Sequence, residues 1–149
     1  MHETILNKLK QEHLQVAELM TKIQAASEPT RKRELYSELK HALIPHMEGE
    51  EQTLYAHLRD DTDDVVAEKI VKVADQEHHE VKDLLTKLDR INISSPDWDS
   101  TFATLKADVE QHVNEEESDL FAEAKEDFSR EELEKIGDEF DEVKSHSSF

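Results

Sequence analysis

The sequence predicts an all-α protein, an up-and-down four-helix bundle with an internal two-fold pseudo-repeat and a short C-terminal helix. Its 149 residues are enough for one domain with a buried core, and they include only 2 Gly and 3 Pro, few for the turns of a β fold. The charged fraction of 37% and the aromatic fraction of 5% are typical of solvated helices around an aliphatic core. Apolar residues recur every three or four positions over four long segments, as they do in amphipathic helices.

The first two predicted helices span about residues 3–26 and about residues 31–59. The segment between them ends at Thr30, whose hydroxyl is a suitable cap for the second helix. Pro45 and Gly49 lie inside the second segment. A proline removes one backbone donor from a helix, so we expect a kink or a local bulge there.

The third predicted helix spans about residues 63–91, and the fourth spans about residues 96–126. Ser95 is followed by a proline, and this pair is a strong start for the fourth helix. Ser129 and Glu132 have the spacing of a capping box, which predicts that a short final helix begins at this point.

The two halves of the predicted bundle repeat each other. Gln11-Glu12-His13 recurs as Gln76-Glu77-His78. The second part of the repeat places His46, Glu50 and Glu51 in one half and His112, Glu116 and Glu117 in the other. A helical pair copied once makes a four-helix bundle with approximate two-fold symmetry. We therefore expect residues 1–127 to form the bundle and residues 128–149 to form the short helix and a frayed tail.

Six residues of ligand type lie on the apolar stripes that should face the core. His46 and Glu50 are four residues apart, so they lie one turn from each other on the same helix face. Buried carboxylates are rare unless they are paired or bind a metal, and no Lys or Arg lies at the same level of these stripes. A core histidine can also be satisfied by hydrogen bonds alone, but two symmetric sets favour a metal site. The predicted metal ligands are His13, His46, Glu50, His78, His112 and Glu116.

The neighbouring polar residues receive a different interpretation. The other histidines, His2, His41, His57, His79 and His146, point away from the stripes or lie near the chain ends. Four glutamates beside the predicted ligands are expected to be surface or supporting groups, namely Glu12, Glu51, Glu77 and Glu117. Tyr55 lies one turn beyond Glu50, where core packing is its expected role and proton donation the alternative.

The ligand types indicate which metals suit the site. The chain has no cysteine, which excludes thiolate zinc sites, cysteine-bound iron–sulfur clusters and disulfides. Imidazole with carboxylate suits iron, manganese or zinc. Glu50 and Glu116 should face each other from opposite helices, where each can bridge two metals. Each metal then receives two histidines, two bridging oxygens and a shared solvent oxygen, which leaves a position open for a small molecule.

At these motifs the chain resembles the hemerythrin-like family of histidine/glutamate cation-binding domains, over about residues 5–125. The matching elements are Glu12-His13, His46-x-x-x-Glu50 before Leu54-Tyr55, Glu77-His78, and His112-x-x-x-Glu116 before Leu120-Phe121. The resemblance implies a four-helix bundle with two iron ions in a non-haem centre, bridged by oxo or hydroxo groups and by carboxylates. It also implies binding of dioxygen or a related small molecule.

The sequence departs from the oxygen-carrying hemerythrins at two places. Ala74 stands where those carriers have another histidine, which makes a stable reversible oxygen carrier less expected. Their last carboxylate lies five residues after its histidine, where this chain has Glu117, whereas symmetry with Glu50 favours Glu116. The ligand set resembles more closely the domain of di-iron proteins in iron–sulfur cluster repair and nitric-oxide stress. Those proteins carry a further cysteine-bearing N-terminal segment that this sequence does not contain.

The sequence leaves several functions open. The first is a di-iron protein that binds dioxygen, nitric oxide or peroxide for sensing, storage or stress response. The alternatives are an enzyme that decomposes peroxide or reduces nitric oxide, a labile iron-binding protein, and a purely structural bundle. The ferritin-type ligand pattern is not present in the sequence. A net charge of -19 predicts no nucleic-acid or membrane partner, and the absence of a signal-like or spanning segment predicts a cytoplasmic location. The sequence does not identify a protein partner.

Overall fold

The computed structural model describes residues 3–147, and helices are the only regular secondary structure within them. This confirms the predicted all-α fold. Four legs form the bundle, of which two are interrupted. The elements are α1 (Ile5–Ala25), α2 (Pro29–Gln52), α3 (Leu54–Asp60), α4 (Val65–Arg90), α5 (Pro96–Glu115), a π-helical turn (Glu116–Leu120), α6 (Phe121–Asp127) and α7 (Arg130–Ser145). None of the described helices has the length and apolar character needed to cross a bilayer.

The helix starts follow local capping chemistry, with one correction. Thr30 is not the cap of α2, because the helix already begins at Pro29, and Glu28 occupies the cap position. Proline suits the first helical position, since its missing N–H would have no partner there. Ser95 caps α5 as predicted, and Ser129 forms the predicted capping box at the start of α7.

The irregularities of the bundle legs lie elsewhere than predicted. The α2 helix runs through Pro45 and Gly49 without a break and ends before Thr53, whose φ of -119° and ψ of -86° separate it from α3. In the other half, the π-helical turn begins at Glu116. Each irregularity thus lies at or just beyond one of the two glutamates of the repeat. An extra residue in a turn rotates the side chains that follow, and such turns are frequent at functional sites.

Two apolar clusters fill the bundle, one on each side of the histidine level. Buried side chains such as Leu9, Leu54 and Leu120 form one cluster, and Val16, Leu39 and Leu105 belong to the other. Each fully buried side chain of this size stabilises the fold by about 1.5–3 kcal/mol. The six predicted ligands therefore lie in a polar layer between two dry regions.

The C-terminal helix packs on the bundle instead of extending from it. Phe140 of α7 is fully buried and contacts α2, and a Cβ atom built at Gly49 would lie 2.5 Å from its Cε1 atom. Gly49 thus allows α7 to approach α2 closely, which explains a glycine in an unbroken helix. The separation of residues 1–127 from residues 128–149 remains a prediction. Residues 148 and 149 of the predicted frayed tail lie outside the described residues. His2 also lies outside them.

We expect Gly49→Ala to destabilise the protein by about 1–3 kcal/mol, because the added methyl group overlaps the Phe140 ring. Helix propensity alone predicts the opposite sign, since alanine is favoured over glycine by about 1 kcal/mol inside a helix. Urea unfolding measures the difference. In a Phe140→Leu background the cost should shrink. An unchanged or increased free energy of unfolding in Gly49→Ala would show that the α7 contact does not require the glycine.

Candidate metal centre

All six predicted ligands converge in the polar layer. They form two groups, in each of which one ligand atom per residue lies within 4.8 Å of the others. The first group contains His13, His46, Glu50 and Glu116, and the second contains Glu50, His78, His112 and Glu116. All six residues are buried, and Glu50 is 0% exposed. The two glutamates are shared between the groups, as two-fold symmetry requires.

Each inner glutamate reaches one histidine of both groups. Glu116 Oε1 lies 3.0 Å from Nε2 of His13, and its Oε2 lies 3.3 Å from Nε2 of His112. Glu50 Oε1 lies 3.2 Å from Nε2 of His46 and 3.1 Å from Nε2 of His78. The Nε2 atoms of all four histidines therefore face the two carboxylates in the centre.

The outer nitrogen of every histidine donates a hydrogen bond to a glutamate on a neighbouring leg. The donor–acceptor pairs are His13 Nδ1 to Glu117 at 2.7 Å, His46 Nδ1 to Glu12 at 2.8 Å, His78 Nδ1 to Glu51 at 2.7 Å, and His112 Nδ1 to Glu77 at 2.8 Å. Such pairs fix the tautomer and ring orientation, so that Nε2 is free to bind a metal. The four glutamates expected to be surface or supporting groups thus hold the imidazoles. Their only signal in the sequence is their place beside a predicted ligand.

The choice between Glu116 and Glu117 follows from this ring of hydrogen bonds. Glu116 points inward with a fully buried side chain. Glu117 points to His13 Nδ1 and keeps 33% of its side chain exposed. The structure therefore places Glu116 in the inner group, as the repeat symmetry predicts.

Helix α7 forms one wall of this layer. Phe140 packs edge-on against His46, with 6.3 Å between the ring centroids. Lys144 donates a hydrogen bond to Glu12, the same glutamate that accepts from His46 Nδ1. The interactions with His46 and Lys144 lower the pKa of Glu12 against the effect of its burial, so this carboxylate is ionised at neutral pH.

Tyr55 has a larger role than the core packing expected from its position. Its ring is fully buried, and its hydroxyl donates to Glu116 Oε2. The hydroxyl oxygen also lies 3.3 Å from Nε2 of His78 and 3.4 Å from Nε2 of His112. Burial and the two inner carboxylates raise the pKa of Tyr55 well above its ordinary value, which keeps the phenol protonated. Phe121, at the matching place in the repeat, stacks on His13 and offers no such group.

Several inner polar atoms have no hydrogen-bond partner among the described residues. They are His13 Nε2, both carboxylate oxygens of Glu50, and Glu116 Oε1. Leaving such groups unpaired in a protein interior costs several kcal/mol, so a positive charge is needed among them. Imidazole nitrogens and carboxylate oxygens are a donor set that suits divalent iron, manganese or zinc. The orphaned atoms and the donor types thus fit a pair of metal ions.

Protons supply that charge when no metal does. Burial alone would lower the pKa of a histidine, but the negative charge of Glu50, whose Oε1 lies 3.2 Å from Nε2, and the hydrogen bond to Glu12 raise the pKa of His46 to about 10. Hydrogen bonds to Glu116 and Glu77 likewise outweigh burial and raise the pKa of His112 to about 11. The metal-free centre therefore binds protons tightly at the same nitrogens that face the carboxylates.

A cavity of about 300 Å³ leads from the surface to one side of the centre. It is lined by His112 and Glu116 at its inner end and by Ala74, Ile70 and Val73 along its wall. A histidine at position 74 would occupy part of this space. The alanine thus leaves an open, largely apolar approach to the centre, of a size that suits a small molecule.

The fold and site define a helical-bundle protein with a buried histidine–glutamate cluster for cations. A family model described as the hemerythrin HHE cation binding domain matches residues 4–124, and the chain belongs to this family. A solved structure, that of a hemerythrin HHE cation binding domain-containing protein from Mycobacterium kansasii, is similar with a TM-score of 0.83 and 27% identity, and the match covers 96% of this chain and 86% of that one.

A curated protein of Nostoc sp. named DNA nickase is 30% identical over 137 residues, which is 92% of this chain. The chain spans only 38% of the length of that relative. The similarity therefore concerns one part of a longer protein.

We expect the metal-free protein to lose stability as the pH rises from about 6.5 to about 10. The folded-state pKa of His46 is about 10 and that of His112 is about 11, so both histidines lose their stabilising protons toward the upper end of this range. A raised folded-state pKa stabilises the fold fully below the unfolded-state value, and this stabilisation disappears as the pH passes the folded-state value. Urea unfolding of metal-stripped protein should show a loss of several kcal/mol over this range, because each pH unit between the unfolded-state and folded-state pKa values of one histidine contributes about 1.4 kcal/mol. His46→Gln should reduce the slope and exposed His41→Gln should retain it. Stability that rises across this range would contradict the assignment.

Proposed function

We propose that the inner cluster holds two iron ions and that the protein binds dioxygen, nitric oxide or peroxide there, for sensing, storage or a stress response. The observation that carries the proposal is the geometry of Glu50 and Glu116, each of which contacts one histidine from both groups. That arrangement suits carboxylates that bridge two metals.

The residues divide into two metal positions. His13 and His46 would hold one ion, His78 and His112 would hold the other, and the two inner glutamates would bridge them. The iron pair, together with an oxo or hydroxo bridge, would supply electrons and open coordination positions for the small molecule. The chain's own part is to orient the imidazoles through their outer glutamates, to exclude water with the two apolar clusters, and to admit the small molecule through the cavity beside Ala74.

Metal analysis and ultraviolet–visible spectra of protein from iron-supplemented cells test the centre. We expect about two irons per chain. The near-ultraviolet bands should bleach on reduction and return in air. Glu50→Gln and Glu116→Gln each remove a bridging charge and should cut the iron content at least by about half. Glu110→Gln, which changes an exposed residue on the same leg as Glu116, should retain it. Less than about one metal per chain, equal in all four proteins, would contradict the proposed site.

An enzymatic function on peroxide or nitric oxide is the second candidate, and Tyr55 is the observation that favours it. Reduction of either molecule needs a proton beside the reacting atoms. The Tyr55 hydroxyl is protonated, is buried in the centre, and contacts Glu116 and two metal-facing nitrogens.

If the protein is an enzyme, Tyr55→Phe should slow peroxide decomposition by about 10²- to 10⁴-fold, the usual effect of losing a general acid. Iron content and azide binding should remain, because the ring and all six proposed ligands are kept. Tyr36→Phe provides the matched control, since Tyr36 is a buried tyrosine whose hydroxyl binds Leu85 and Asp89 instead. Equal oxygen evolution by all three proteins would exclude Tyr55 as the donor. No evolution by any of them would favour binding without turnover.

The same protein preparations distinguish the remaining candidate functions. Labile iron binding predicts that a mild chelator removes the iron rapidly, whereas a buried centre should lose it slowly. The nicking activity in the name of the Nostoc protein belongs to a chain of greater length. We propose no nucleic-acid partner for this chain, because its net charge of -19 opposes contact with phosphate backbones. The cytoplasmic location remains a prediction.

A further inference from the structure

A second group of carboxylates lies apart from the histidine layer. Asp64 is the cap residue of α4, whereas Glu123 and Asp127 are one turn apart on α6. One carboxylate oxygen from each residue lies within 4.8 Å of the other two. The three acidic groups therefore join the beginning of one bundle leg to the end of another.

The burial of Glu123 distinguishes this cluster from an ordinary acidic surface, whereas Asp64 and Asp127 are half-buried. Glu123 is only 8% exposed, and its Oε1 atom has no hydrogen-bond partner among the described residues. The same holds for Oδ2 of Asp127. Asp64 is held in place because its Oδ1 accepts hydrogen bonds from the backbone N–H groups of Val66 and Ala67, at 2.9 Å and 3.4 Å. A buried carboxylate oxygen aimed at two further carboxylates requires a positive partner.

Either a proton or a cation can take this place. Hydrogen bonding to Asp64, together with burial and the nearby negative charges, raises the pKa of Glu123 to about 7. The cluster therefore favours a proton on Glu123 when no cation is bound. A divalent cation would neutralise more of the charge than one proton does.

We propose that Asp64, Glu123 and Asp127 bind one hard divalent cation, for which Ca²⁺ is the best fit. The donors are oxygens alone, without histidine or thiolate, and this set suits Ca²⁺ or Mg²⁺ rather than iron or zinc. Ca²⁺ binds oxygens at about 2.3–2.6 Å and tolerates irregular geometry, so it accommodates oxygens separated by up to 4.8 Å. Water would complete the coordination. The site is independent of the proposed di-iron centre.

The bound cation would tie the start of α4 to the end of α6. The α4 helix carries His78, and the leg that ends in α6 carries Glu116. Binding to the folded chain alone would therefore stabilise the bundle at the end where these two legs meet.

Calorimetric titration of the full chain with CaCl₂ and with MgCl₂ tests the proposal, together with melting curves in each salt. We expect one Ca²⁺ per chain, a higher melting temperature in Ca²⁺, and affinity weakened roughly tenfold or more in Glu123→Gln and in Asp127→Asn. Glu126→Gln removes the same charge from the same helix without removing a proposed ligand, so it should weaken the binding far less than either ligand variant does. The iron content and the spectrum of the protein should not change with Ca²⁺.

Glu123→Gln resembles the protonated carboxyl in shape, so it should fold, and its circular dichroism verifies this. Weak binding of many ions with the same affinity in all four proteins would overturn the proposal, because it would indicate only the diffuse attraction of an acidic surface. Absence of binding would also overturn it and would leave a shared proton as the partner of the cluster. Strong preference for Mg²⁺ over Ca²⁺ would overturn the choice of ion.

Discussion

The rest of this structure depends on two carboxylates that are buried among four imidazoles. Glu50 and Glu116 cannot remain in the interior without positive charge, and the histidine nitrogens around them can bind either protons or metal ions. The outer glutamates keep the imidazole rings in place, and the two apolar clusters keep water away from both sides. The break at Thr53 lies just beyond Glu50, and the π-helical turn begins at Glu116, so the regular helix ends close to each of these carboxylates.

The sequence was sufficient to predict the parts that depend on periodicity and repetition. The six inner residues lie on stripes that must face the core, and their duplication fixes the two-fold arrangement. The Nδ1 partners were not predicted, because each histidine takes its glutamate from a different leg, a choice set by tertiary packing. The contact between Gly49 and Phe140 joins residues far apart in the chain, so the packing role of this glycine could not be predicted from the sequence. Thr30 was misassigned because Pro29 is itself a good first helical residue.

The two halves share their ligands but differ around them. Tyr55 places a phenol beside His78 and His112, whereas Phe121 places only a ring beside His13. The cavity beside Ala74 also reaches the His112 side. The cavity and the protonated hydroxyl therefore lie on the same side of the centre. The two ends of the centre are thus chemically unequal, although their inner ligands match.

The residues that match the family model do not include all the residues that enclose the centre, and helix α7 is the example. The family match ends at residue 124, before this helix begins. Yet Phe140 covers one face of His46, and Lys144 neutralises the carboxylate that orients the same ring. A chain cut at the family boundary would retain every inner ligand and lose a wall of their enclosure. Displacement of α7 would therefore expose His46 and Glu12 to solvent while all six inner residues stay on their own helices.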